Sequence, residues 1–125
     1  MVSYFFDSYA LIEIIKGNEN YKKYTMSKII ITKLNLIECY NSWISEMGEE
    51  KANHYFKFFN PCCMPVLDED IKEGVKFRIK LKNNNKRISP SYIDCIGYVI
   101  SLRLNMKFLT GDNVFKDFPN VEFVK

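Results

Sequence analysis

Hydrophobic positions fall into short unbroken runs, and between the runs apolar residues return every three or four positions. The first run, Val2-Ser3-Tyr4-Phe5-Phe6, is rich in strand formers and stops at Asp7. Helical spacing then covers 8–15, with Leu11, Ile12 and Ile15 inward and Gly17 as the stop. Lys28-Ile29-Ile30-Ile31-Thr32 reads as a second buried strand. Residues 33–46 read as a helix with Leu34, Ile37, Tyr40, Asn41 and Ile44 along its inner face. After Gly48, the stripe Ala52, Tyr55, Phe56 and Phe59 predicts a second helix, paired with the first as an antiparallel hairpin.

Cys62-Cys63-Met64-Pro65-Val66 reads as a third strand, and Asp68-Glu69-Asp70 as an acidic helix start. Strict alternation over 76–82 would suit a strand, but the helix-like stretch before it favours helix to about residue 81. A polar loop spans 83–90, and a helix over 91–104 turns Ile93, Ile96, Ile100 and Leu104 inward. Residues 106–109 form a fourth strand, a helical turn lies near 113–117, and 121–124 form a fifth strand. Strands that alternate with helices predict one three-layer α/β/α domain over 1–125, with a mainly parallel five-stranded sheet covered on both faces.

Composition narrows the setting. No stretch approaches the ~18–20 apolar residues of a membrane span, and the start lacks a signal-peptide layout. Cys39, Cys62, Cys63 and Cys95 show no paired C-x-x-C spacing, so they read as reduced, mostly buried small hydrophobes of a cytoplasmic protein. A net charge of +3 is too small to signal nucleic acid by itself. Lys76, Arg78, Lys80, Lys82, Lys86 and Arg87 nevertheless make a basic run. Alone, such a run is more often a solvated helix face. His54, the one histidine, has no metal-ligand companion and reads as a surface residue.

Four acids invite a chemical reading. In an open parallel sheet, ligands bind beyond the carboxyl ends of the strands, where the strand order reverses. Asp7 and Asp112 follow strands, Glu38 lies early in one helix and Asp94 early in another. Each also has a plain structural reading. Asp7 suits a helix N-cap, Asp112 suits a turn, and Ser91-Tyr92-Ile93-Asp94 fits a capping box. Glu38 is harder to explain this way, because it borders an apolar face with no basic residue three or four positions away.

The segments Phe5-Phe6-Asp7-Ser8-Tyr9-Ala10-Leu11-Ile12-Glu13, Thr32-Lys33-Leu34-Asn35-Leu36-Ile37-Glu38, Ser91 to Asp112 and Thr110-Gly111-Asp112-Asn113-Val114-Phe115 follow one another as the motifs of PIN-domain ribonucleases do. The resemblance spans essentially the whole chain, and the small size resembles the toxins of VapC-type toxin–antitoxin pairs. It implies a metal-dependent endoribonuclease using Mg²⁺ or Mn²⁺, hard cations that favour oxygen ligands. By the same resemblance Asp7, Asp94 and Asp112 hold the metal, directly or through water. Glu38 then holds a water on the metal or orients the nucleophile, Ser8 and Thr110 support the acids by hydrogen bonds, and the basic run contacts RNA. An antitoxin and a homodimer are the implied partners, with Trp43 and Phe58 among the apolar groups left over for the dimer. One position departs from the pattern: relatives often carry a further acid where Val114 stands, which bears on a second metal.

Two other α/β families fit less well. A haloacid-dehalogenase phosphatase needs a second Asp where Tyr9 stands, and a receiver domain needs an Asp where Val66 and Leu67 end the third run. Within the PIN resemblance, the alternatives are an RNA-processing nuclease without an antitoxin and a non-catalytic domain that binds RNA or protein.

Overall fold

The computed structural model describes residues Met1–Lys125. Its sheet is built from β1 (Ser3–Phe6), β2 (Lys28–Ile30), β3 (Lys107–Thr110) and β4 (Val121–Phe123), in the order β2-β1-β3-β4 with every pair parallel. The chain leaves β1 to one side to form β2, then returns to the other side of β1 to form β3. The order therefore reverses between β1 and β3, and both of those strands end at the same edge.

Five helices cover the sheet: α1 (Ser8–Lys16), α2 (Lys33–Met47), α3 (Glu49–Phe59), α4 (Asp68–Asn84) and α5 (Tyr92–Arg103). Alternation along the strands divides the core. Phe6 and Leu109 point into a cluster with Leu11, Leu36, Trp43 and Phe59, whereas Phe5 and Phe108 point into one with Ile96, Tyr98, Ile100 and Phe115. The first cluster lies under α1–α3 and the second under α5. Gly97 lets α5 approach the sheet closely, since a Cβ there would lie 2.8 Å from the Phe5 ring.

Three expectations need correction. The third run forms no strand, so the sheet has four strands rather than five. Ile31 N donates to the Cys62 carbonyl at 3.1 Å and Met64 N donates to the Ile31 carbonyl at 2.9 Å, a single bridge between Ile31 and Cys63. Pro65 follows and has no N–H with which to extend the ladder.

The inner face of α2 is Leu36, Cys39 and Trp43, while Ile37 and Ile44 are exposed. Two apolar stripes run along this helix, and the one that meets Phe59 and Ala52 of α3 is buried. Trp43 is accordingly 2% exposed, against the Phe59 and Tyr55 rings, and is not a surface aromatic. Phe58 is exposed as anticipated.

The stretch 76–82 is helical, within an α4 that runs to Asn84. Residues 19–26, which carry no clear sequence pattern, form a 3-10 helix that buries Tyr21 and Tyr24. The four cysteines are free, with Cys39 and Cys95 buried and Cys62 and Cys63 half-buried. His54 is exposed. No helix is long and apolar enough to cross a membrane.

Candidate functional site

Asp7 begins where β1 ends. Its N–H donates to the Leu109 carbonyl at 3.1 Å, one step past the β1–β3 pairing, which seats it between the two central strands. Its Oδ1 accepts from Ala10 N at 2.8 Å and caps α1. Its Oδ2 accepts from the Thr110 hydroxyl, and that hydroxyl accepts in turn from Asp112 N at 3.0 Å. The capping reading of Asp7 is therefore right and incomplete: one oxygen starts a helix and the other faces β3. Asp112 itself caps a short 3-10 turn by accepting from Val114 N at 3.0 Å.

Glu38 is placed by a chain of hydrogen bonds. Thr32 caps α2, and its N–H donates to Asn35 Oδ1 at 2.9 Å in a reciprocal capping box. Asn35 Nδ2 donates to Ser8 Oγ at 3.2 Å, and Ser8 Oγ donates to Glu38 Oε1 at 2.6 Å. Ser8 is thus the partner that the sequence around Glu38 lacks. Asp94 sits in the first turn of α5, where Ser91 Oγ accepts from its N–H at 3.0 Å.

The four acids come together. Asp7, Glu38, Asp94 and Asp112 line one cleft of about 420 Å³ at the carboxyl edge of the sheet, with Ser8, Tyr9, Gly111 and Lys125. None of the four acids forms an ion pair; the salt bridges join Glu13, Glu69, Glu73 and Asp70 to other residues. Burial, opposed by the Thr110 and Ala10 hydrogen bonds and reinforced by Asp94 and Asp112, pushes the Asp7 carboxyl up to about 8. Burial, with Glu38 and Asp112 adding repulsion, pushes Asp94 up to about 6. A cleft that gathers four acids without an ion pair disfavours their charged forms, and a bound cation would reverse that. Its donors are oxygens, which suits a hard divalent ion, yet no three acid side chains stand close enough to make a formed metal cluster.

Thr110 is fully buried beneath the cleft and acts on it through Asp7. The basic run does not form one surface. Helix geometry turns Lys76 and Lys80 to one side of α4 and Arg78 and Lys82 to another. Lys76 pairs with Glu73 at 2.8 Å. Arg78 Nε donates to the Pro90 carbonyl at 2.7 Å, and the guanidinium lies 4.2 Å from the centre of the Tyr92 ring, next to the start of α5. Lys86 and Arg87 are exposed in the loop between α4 and α5.

Sequence reading missed Asn35, Tyr9, Gly111 and Lys125. Asn35 had a usable signal, Thr32 followed by an amide three residues on. Gly111 is needed because a Cβ there would lie 2.1 Å from Tyr9 Cε1.

No family model and no curated protein sequence matches the chain. Solved structures do match its fold. VapC20 of Mycobacterium tuberculosis, a sarcin-ricin-loop-cleaving toxin, superposes with a TM-score of 0.76 at 12% identity, over 98% of this chain and 99% of that one. The fold is that of a VapC-like PIN domain. VapBC2 of Rickettsia felis, solved on a promoter DNA fragment, matches with a TM-score of 0.72 at 16% identity over 99% of this chain and 100% of that one. A toxin–antitoxin complex from Klebsiella pneumoniae gives 0.72 at 16% identity over 94% of each chain. In this PIN fold the acid-lined cleft occupies the reversal of strand order between β1 and β3.

Proposed function

We propose that this PIN domain is a metal-dependent endoribonuclease and the toxin of a toxin–antitoxin pair. The observation that carries the reading is the convergence of Asp7, Glu38, Asp94 and Asp112, from four separate segments, on one cleft with none of them in an ion pair. A purely structural set of caps would have no reason to share a cavity. Acids gathered in a partly buried cleft are costly to ionise together, and a site that keeps them is arranged for a cation.

Asp7, Asp94 and Asp112 would hold Mg²⁺ or Mn²⁺. The ion, when bound, supplies charge stabilisation at the phosphate and a more acidic water. The protein's own part is orientation. Thr110 and Ala10 N fix both oxygens of Asp7, so its carboxyl plane is set before any ligand arrives. Ser8 holds one oxygen of Glu38, leaving the other free to accept a proton from the attacking water. An open cleft at a sheet edge admits an unpaired strand more readily than a rigid duplex, so looped or single-stranded RNA is the substrate class. Arg78, Lys82, Lys86 and Arg87 would follow the RNA backbone.

An antitoxin would inhibit by setting a guanidinium or ammonium among the acids in place of the ion. A homodimer would use the outer faces of α2 and α3, where Ile37, Ile44 and Phe58 are 63%, 40% and 65% exposed. The deciding experiment incubates structured RNA with Mn²⁺ or Mg²⁺, with and without EDTA. Wild type cleaves, and Asp94→Asn, which keeps shape and the Ser91 cap, does not. Identical products from the two proteins would dismiss the nuclease and leave a non-catalytic RNA-binding domain.

A further inference from the structure

Lys125 is the one basic residue lining the acid cleft. Its backbone is fixed from two sides: Val124 N donates to the Thr110 carbonyl at 2.9 Å, and Tyr21 Oη donates to the Val124 carbonyl at 2.5 Å. Asn20 Nδ2 adds a bond to the Lys125 carbonyl at 3.2 Å. The side chain then reaches into the cleft. Nζ donates to the Gly111 carbonyl at 3.0 Å and lies 5.6 Å from the centre of the Tyr9 ring. It makes no ion pair with any of the four acids.

That arrangement is unusual for a lysine among carboxylates. An ammonium serving as their counter-ion would sit on them. Here a backbone carbonyl and an aromatic face hold it beside Asp112 while using one of its three N–H groups. The remaining donors face a cleft whose expected occupant is anionic. A phosphodiester entering between four acids meets repulsion that a metal offsets only in part, and a fixed ammonium lowers it further.

We propose that Lys125 is a substrate-phosphate contact of this cleft: its ammonium, docked on the Gly111 carbonyl beside Asp112, donates to a nonbridging oxygen of the bound RNA backbone. The proposal rests on the ribonuclease reading for its substrate and adds a residue outside the acid set. It also gives Gly111 and Tyr9 a task. Gly111 leaves room for the Tyr9 ring against the turn, and that ring supports the lysine.

The test compares wild type, Lys125→Gln and Lys125→Arg by two readouts. One is anisotropy of a labelled, unpaired RNA oligomer in Ca²⁺; the other is steady-state cleavage in Mn²⁺. Loss of one charge-assisted contact weakens RNA binding and raises KM by about tenfold in Lys125→Gln, with kcat held, and lowers the salt slope of binding by about one. Lys125→Arg recovers most of both. If Lys125→Gln leaves binding and KM unchanged, or lowers kcat alone, the lysine only ties down the Gly111 turn and the proposal fails. If wild type binds RNA but cuts none, the ribonuclease reading falls and the binding series still decides Lys125. If wild type binds no RNA, both fall.

Discussion

Replacing Asp7 by Asn should make the metal-free protein more stable at neutral pH while removing its activity. Asp7 is 1% exposed, and burial raises its carboxyl from 3.8 to about 8. The folded protein therefore holds this proton more tightly than the unfolded chain does. The associated stability is fully present below about pH 4 and is lost as pH rises toward 8. Each pH unit within that window costs about 1.4 kcal/mol, so about 3 kcal/mol disappears between pH 5 and 7. Asp94, raised to about 6, steepens the lower part of the same window. An Asn at position 7 keeps the oxygen that caps α1 and turns an amide toward the Thr110 hydroxyl, so no charge is buried at any pH. Urea unfolding in EDTA at pH 5, 6 and 7, followed by the fluorescence of the buried Trp43, measures the effect. Wild type should lose stability across the series, and Asp7→Asn should lose much less and exceed wild type at pH 7. Mg²⁺ should then stabilise wild type at pH 7 and leave the variant unmoved. Equal stability of wild type at pH 5 and 7, or a variant weaker than wild type at pH 7, would refute the account of Asp7 as a carboxyl whose charged form the cleft disfavours.

Ser8→Ala removes the donor to Glu38 and one acceptor of Asn35, so cleavage should fall by about 10-fold or more while the melting temperature changes little. Gly74→Ala places a Cβ 2.9 Å from the Ile96 Cα, a backbone atom that cannot swing aside, and should cost about 2 kcal/mol in thermal unfolding by prising α4 from α5. Sedimentation at micromolar concentration should give a dimer that Ile37→Glu converts to monomer; monomer alone in wild type would remove the dimer proposal.

Three of the four acids were legible because each is also a local signal, whereas Glu38 stood out only as an acid bordering an apolar face with no basic residue three or four positions away. Asp7 ends a strand run, Asp94 follows a serine cap, and Asp112 sits in a Thr-Gly-Asp turn. Topology then does the gathering, since parallel strands end together. The α2 register was not legible, because Leu34-Ile37-Ile44 and Leu36-Cys39-Trp43 are both acceptable helical stripes and the choice is made by α3, a distant partner. The third run has a strand's composition, but Pro65 within it has no N–H with which to extend a ladder. Lys125 carried no pattern at all. Its place depends on β4 and Tyr21 together, contacts that exist only in three dimensions.

The hydrogen bond from Thr110 to Asp7 spans 103 positions of sequence. The strand made first lies in the centre of the sheet and waits for one made near the other end of the chain. During synthesis, then, an emerging chain can build the α1–α3 side while Asp7 still has no floor beneath it and Asp112 does not yet exist. The cleft is complete only once a loop of that length has been shut, an entropic cost that local helices do not carry. Partial chains should consequently be inert toward RNA, and damage to β3 should silence the cleft at the opposite end of the sequence as completely as loss of an acid.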